Sequence, residues 1–251
     1  MSRKNDFLDL SVIVPVHNEA ENIAPLITEI RSALDPVLHY ELIYIDDGST
    51  DETPARLKQI ASEFDLLRIV RHRNRCGQSS ALWTGVAAAR ADWIATLDGD
   101  GQNDPADILR LKAFLEGPES PPDLTLICGY RKERRDTVLK RLSSRIANSI
   151  RGRLLRDDTP DTGCGLKLFS RHAFLQLPYF DHMHRFLPAL FLRGGGKVRS
   201  VIVNHRPRLR GRSHYGVGNR LWVGITDLLG VMWLRRRMQY PSIMEETDIE
   251  N

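Results

Sequence analysis

Through the first 130 residues, short apolar runs alternate with longer stretches of helical composition. LSVIVPV at 10–16 is β-branched, nearly free of polar residues and interrupted by a proline, which predicts a strand buried on both faces. A helix is expected from there to about 34, with Asn18 as its cap and Glu19 and Glu21 in its first turn. ELIYID at 41–46 predicts the second strand, and DGS a turn behind it. Asp51 is placed to cap the next helix, whose first turn holds Pro54. LLRIVR at 66–71, DWIATLD at 92–98 and DLTLICGY at 123–130 predict three more strands. Between them lie an alanine-rich helix at 78–90 and a helix from Asp104-Pro105 to about 116.

This alternation specifies an α/β class, a mostly parallel sheet with helices on both faces. Ligands in such sheets bind beyond the carboxyl ends of the strands. The polar clusters fall there: His17-Asn18-Glu19, Asp46 to Asp51, and Asp98 to Asp104. Three separate segments thus converge on one edge, and two of them are rich in acid.

Beyond 130 the alternation loosens. A basic amphipathic helix is expected at 137–155, a strand at 165–170, a helix at 181–192 and a strand at 197–206. A Gly/Arg-rich loop follows at 206–218, then a last helix at 219–237 and an acidic tail from Ser242, read as disordered. In domain terms this gives 1–216 as the main unit, 217–240 as an amphipathic helix and 241–251 as a tail.

Composition adds three exclusions. At 251 residues, with 41% apolar and 27% charged residues, the chain is neither disordered nor fibrous. Three scattered cysteines, Cys76, Cys128 and Cys164, exclude a disulfide scaffold and a cysteine zinc ribbon, and fit a reducing compartment. MSRKNDFLDL lacks the apolar core of a signal peptide, and no apolar run reaches the ~20 residues that span a bilayer. The charge is split. Residues 1–130 hold 12 Lys/Arg against 21 Asp/Glu, a balance of −9, and residues 131–251 hold 24 against 11, a balance of +13. A basic half of this size predicts an anionic partner. With no helix-turn-helix or RNA-binding aromatic signature, nucleic acid is not that partner.

Asp98 and Asp100 stand two residues apart just past a strand, with Gln102 two further on. Hard oxygens in that spacing suit Mg²⁺ or Mn²⁺, and so sparse a set implies a phosphorylated ligand that completes the shell. Taken alone, the segment reads equally well as an acidic turn. Asp46 and Asp47 precede their turn and are not explained by capping; they can accept hydrogen bonds from a base or ribose. The arginines of RPRLRGRSHY suit a diphosphate, or simply a solvated loop. His182, His184, His205 and His214 follow no zinc spacing and read as surface or hydrogen-bonded histidines.

SVIVPVHNEAENI, YIDDGSTDET, RNRCGQSSALWTG and LDGDGQNDP, followed by DTGCGLKLFSR, HRFLPALF and HRPRLRGRSHY, resemble family 2 glycosyltransferases. The resemblance is nearest to those that load sugars onto polyprenyl phosphates, and it spans about 10–216. It implies a GT-A fold and inverting transfer from a UDP- or GDP-sugar to a lipid phosphate. By the resemblance, Asp98, Asp100 and Gln102 hold the metal and donor diphosphate. Asp46 and Asp47 hold the nucleotide, with Pro15, His17, Glu19 and Gln78 nearby, and His205, Arg208, Ser213 and Tyr215 close over it. Arg131, Lys140 and Ser144 face the acceptor phosphate. Asp98, Asp100 and Asp161 carry the catalytic expectation, Asp161 against sugar or acceptor.

The chain departs from the pattern at Lys140, where many members have Arg, and at His214, where many have Lys. It departs again after 220, where LWVGITDLLGVMWL is fourteen residues with Asp227 inside, too short to span a bilayer. Trp222, Ile225, Leu229 and Met232-Trp233 can share a helical face, which fits an interfacial helix as well as a core one. The expected partners are a nucleotide sugar, a polyprenyl phosphate and a membrane surface, with an integral-membrane partner as an option. The expected location is the inner face of the cytoplasmic membrane. Rival readings are a soluble-acceptor glycosyltransferase, a non-catalytic module that keeps the fold, and a nucleotidyltransferase, whose GxGxR loop VPVHNE lacks.

Overall fold

A computed structural model describes residues 8–132, 151–204, 206–207 and 220–237. The elements in chain order are β1 (Leu10–Val16), α1 (Ala20–Leu34), β2 (Tyr40–Asp46), α2 (Thr53–Ala61), β3 (Leu67–Arg71), α3 (Gln78–Ala88), β4 (Trp93–Thr96) and α4 (Asp107–Glu116). There follow β5 (Leu124–Tyr130), β6 (Lys167–Ser170), α5 (Arg171–Leu175), a 3₁₀ turn (Met183–Arg185), α6 (Leu187–Arg193), β7 (Lys197–Ile202) and α7 (Arg220–Arg237).

One seven-stranded sheet runs β3-β2-β1-β4-β6-β5-β7. All neighbours are parallel except β6, which is antiparallel to both β4 and β5. Alternate residues of each strand serve opposite faces. Val12, Val14 and Val16 pack with Ile23, Ile27 and Leu57 on one side. Ile13, Ile43 and Ile45 pack with Ala81, Val86 and Leu190 on the other. Two apolar layers on one sheet explain why β1 and β2 read as unbroken apolar runs. Pro15 is tolerated in a central strand because the β1–β4 register ends at Ile13↔Thr96, so its missing N–H breaks no ladder bond.

Chain order reverses direction between β1 and β4, so the loops after those two strands part and leave a crevice. The three polar segments expected at that edge, which follow β1, β2 and β4, are delivered there by this topology.

Several local expectations are corrected. Asn18 does not cap α1; it sits at φ 55, and its Oδ1 accepts from Thr50 N at 2.8 Å. The first turn of α1 is met instead by the second loop, with Glu19 N donating to Thr53 Oγ1 and Ala20 N to Asp51 Oδ2. Asp51 also accepts from Thr53 N at 2.9 Å, so one carboxylate ties the starts of α1 and α2 together. The helix expected at 181–192 is broken. His182 is left-handed at φ 63, and Pro188 forces a fresh helix start at Leu187. β7 stops at Ile202, where β5 runs out of partners. Of the basic helix at 137–155, only 151–155 is described, and it is helical.

Candidate active site

A cavity of about 830 Å³ opens at the carboxyl edge. β1 contributes Pro15, with His17 and Glu19 just beyond it, and the loop after β2 contributes Asp47. Gly77 and Gln78, where α3 begins, form another part, and Asp98, Asp100 and Gln102 after β4 form the acid-rich part. The segment 162–167 and the wall 181–187 complete it.

Asp47 organises the side of the cavity formed by the β1 and β2 loops. Its Oδ1 accepts from Cys76 N at 2.7 Å and its Oδ2 from Gly77 N at 2.8 Å, while His72 Nδ1 lies 2.8 Å from Oδ1. His17 Nδ1 lies 2.8 Å from the Asp47 carbonyl oxygen, which joins the β1 and β2 loops. Asp47, His72 and Cys76 gather closely enough to suggest a metal site, but these bonds already engage both Asp47 oxygens. Asp46 has a different place from the one expected. It is fully buried behind the turn, accepts from Ser49 N at 2.9 Å and pairs with Arg71 Nε at 2.9 Å, and it does not line the cavity.

Asp98 is half-buried, and Gln78 Nε2 donates to its Oδ1 at 3.1 Å. Its backbone N–H is held by the buried Asn103 side chain at 3.1 Å. Asp100 Oδ1 accepts from Gln102 N at 3.1 Å, which tightens the turn. Gly165 lies against Asp98 so closely that a Cβ would overlap the carboxyl group, and Thr96 Oγ1 fixes the Gly165 carbonyl at 2.7 Å. Burial pushes the Asp98 carboxyl above its usual range and the charge of Asp100 adds to this; Lys167, Arg131 and Gln78 oppose it. Two carboxylates crowded in this way, with the Gln102 side chain in the same part of the cavity, are a hard-oxygen donor set that a divalent cation fits.

Lys167 escaped the sequence reading. It sits on β6, nearly buried, lines the cavity and donates through Nζ to the carbonyls of Cys164 and Thr162. The signal for it was a lone lysine between leucines in an apolar strand, GLKLF. Arg131 and Asp161 were expected to face acceptor or sugar separately, but they face each other. Asp161 accepts from Arg131 Nε at 2.7 Å and Nη2 at 3.0 Å, and does not line the cavity. This pairing pushes the guanidinium up although burial works against it. Arg206 bridges Glu29 and Asp104 at 2.6 and 2.7 Å. Lys140, Ser144, His205, Arg208, Ser213, His214 and Tyr215 lie outside the described residues, as does the tail from Ser242.

A family model described as Glycosyl transferase family 2 matches residues 11–177. The dodecaprenyl-phosphate galacturonate synthase of Rhizobium johnstonii is 38% identical over 241 residues, 94% of this chain and 70% of that protein. The undecaprenyl-phosphate 4-deoxy-4-formamido-L-arabinose transferase of Shewanella sediminis is 32% identical over 214 residues, 84% of this chain and 62% of that protein. Among solved structures, glucosyl-3-phosphoglycerate synthase from Mycobacterium tuberculosis superposes with a TM-score of 0.66 at 22% identity, over 94% of this chain and 82% of that one. A mannosyltransferase from Pyrobaculum calidifontis in complex with GDP-Man and Mn²⁺ gives 0.63 at 20% identity, over 94% of this chain and 66% of that one. At these identities the structures establish the fold alone: it is of the GT-A type.

Proposed function

The chain belongs to glycosyl transferase family 2, and on that premise we propose that it moves a sugar from a UDP- or GDP-sugar onto a polyprenyl phosphate, with inversion. The observation that carries the reading is the meeting of the β1, β2 and β4 loops around one cavity, with Asp98 and Asp100 together in it. The relatives whose names specify polyprenyl phosphates favour a lipid acceptor, and the basic second half fits its phosphate.

The reaction is a displacement at the anomeric carbon. The nucleophile is a phosphate oxygen, already largely ionised at neutral pH because a monoester's second pKa is ~6. A strong general base is therefore not needed. Departure of the nucleoside diphosphate is the step that needs help. Asp98, Asp100 and Gln102 would hold Mg²⁺ or Mn²⁺, which supplies charge neutralisation for the diphosphate when bound. Lys167 adds a fixed positive charge beside Asp98. Asp47 shapes the turn that receives the nucleotide, and Pro15, His17, Glu19 and Gln78 line that side. Arg131, oriented by Asp161, is assigned to the acceptor phosphate, joined by Lys140 and Ser144. Arg208, Ser213 and Tyr215 are assigned to the donor. The protein would work peripherally at the inner face of the cytoplasmic membrane.

The test is transfer of label into the organic phase. Purified protein, MnCl₂ and undecaprenyl phosphate receive a panel of UDP-glucose, UDP-galacturonic acid, UDP-4-deoxy-4-formamido-L-arabinose and GDP-mannose. One donor should label the lipid. Asp100→Asn should lower transfer at least about 100-fold, as expected when stabilisation of a leaving group is removed, and weaken Mn²⁺-dependent nucleotide binding. Unchanged turnover in that variant would refute the metal assignment. Nucleotide binding without lipid labelling would move a soluble acceptor to first place.

A further inference from the structure

The wall at 181–187 carries a histidine that this mechanism leaves unused. His184 Nδ1 lies 2.8 Å from Ser79 Oγ, and the backbone N–H of His184 donates to the same oxygen at 3.3 Å. Ser79 is fully buried at the start of α3, and among the described residues its hydroxyl makes no other hydrogen bond. A buried hydroxyl must place its proton somewhere, so the proton goes to Nδ1. The imidazole therefore accepts at Nδ1. Burial, followed by the positive neighbours Arg185, Lys167 and His182, pulls its pKa down to about 3 and keeps the ring neutral. A neutral ring that accepts at Nδ1 carries its proton on Nε2.

Nε2 has no hydrogen-bond partner among the described residues, nor is it one of the buried polar atoms left without one, and His184 lines the cavity. An N–H of fixed tautomer is thus presented to the cavity. It cannot ligate a metal, because the ring's one lone pair is spent on Ser79. It adds direction without charge, which suits an uncharged acceptor better than a diphosphate. The wall is also braced from outside, by Asp227 Oδ2 of α7 at 3.2 Å from His182 Nδ1.

We propose that His184 is a specificity-determining residue, whose Nε2–H donates to an oxygen of the transferred sugar and selects for its position. The proposal rests on the donor-site reading above. A site built to bond a particular sugar oxygen discriminates against donors that lack it.

The experiment is calorimetric titration of the full chain with MnCl₂ present. UDP, GDP and the four nucleotide sugars of the panel are compared across wild type, His184→Phe, His184→Gln and Ser79→Ala. His184→Phe should weaken the sugar nucleotide about threefold to tenfold, the value of one neutral hydrogen bond, and leave the free nucleoside diphosphate within about twofold. His184→Gln, whose amide nitrogen reaches a similar point, should restore most of the loss. Ser79→Ala frees the tautomer and should fall between them. Equal weakening of diphosphate and sugar nucleotide in His184→Phe would overturn the proposal and leave a wall of structural value only. So would a glutamine variant as weak as phenylalanine. Wild type that binds no nucleotide at all would overturn the donor-site reading, and this inference with it.

Discussion

At the scale of single residues, the site depends on who stands next to whom. Asp98 keeps its place because Gly165 has no side chain. A methyl group there would occupy the carboxyl's own volume, and the backbone cannot retreat while Thr96 holds the Gly165 carbonyl. Gly165→Ala should therefore reduce Mn²⁺-dependent nucleotide affinity at least tenfold and cost ~1–3 kcal/mol of stability, the usual range for overpacking. Calorimetry and urea unfolding check the two parts. Gly230→Ala is the matched control: its added Cβ meets nothing within 4 Å on the exposed side of α7, so binding should be unchanged. Asp46 and Asp47 make the same point. Adjacent and chemically identical, they divide into a buried brace for Arg71 and a cavity residue, because successive positions point opposite ways.

At the scale of elements, α7 carries two faces. Val231 is fully buried in the core layer with α6, Met232 packs beside it, and Arg193 Nε donates to the Leu234 carbonyl at 3.1 Å. Ile225, Leu229 and Trp233, at i, i+4 and i+8, are 42%, 59% and 60% exposed. Arg236 falls on the same side and is exposed, while Asp227 points back to His182. The sequence expectation of one face holding Trp222, Ile225, Leu229 and Met232-Trp233 is thus split, with Met232 going inward, while the Trp222 side chain lies outside what is described. No described helix is long and apolar enough to cross a membrane. An apolar row ending in arginine suits an interfacial position, where each Lys/Arg near an anionic surface contributes ~1 kcal/mol. Leu229→Glu with Trp233→Glu should abolish co-flotation with phosphatidylglycerol vesicles and leave nucleotide affinity intact. Co-flotation equal to wild type would remove α7 from the membrane reading.

At the scale of the whole molecule, stability should depend on pH through His184. Its folded pKa is depressed to about 3, against an ordinary value near 6.5. Between those values the unfolded chain binds one more proton than the folded chain. Stability from this group is complete above about pH 6.5 and is lost as pH falls toward 3, by up to ~1.4 kcal/mol per unit. Burial sets the sign, and Arg185, Lys167 and His182 around the ring add to it. His184→Gln should flatten this limb, measured as the difference in urea midpoints between pH 7.5 and pH 4.5. Parallel slopes in the two proteins would show that the ring charges without unfolding. The same scale accounts for the charge split. The −9 half supplies the cavity loops that carry Asp47, Asp98 and Asp100, and the +13 half supplies Arg131, Lys167 and the exposed arginines of α7.

The amino-acid sequence by itself determined the class of fold, because strands buried on both faces must be apolar throughout and helices between them must be periodic. It also determined the edge where chemistry sits, since polar clusters at three strand ends have one place to meet. That Asp98, Asp100 and Gln102 would stand together was legible because their spacing, two residues apart after a strand, is local, and all three line the cavity. The tertiary structure alone decided what depends on distant partners. Arg131 and Asp161 are thirty residues apart and close on each other across an intervening segment. Ser79 and His184 are separated by 105 positions, so the tautomer of the ring had no trace in local sequence. Gly165 looked like any glycine until Asp98 was beside it. Burial and hydrogen-bond partnership are properties of packing, and packing sets which carboxylate faces the cavity and which ring nitrogen carries the proton.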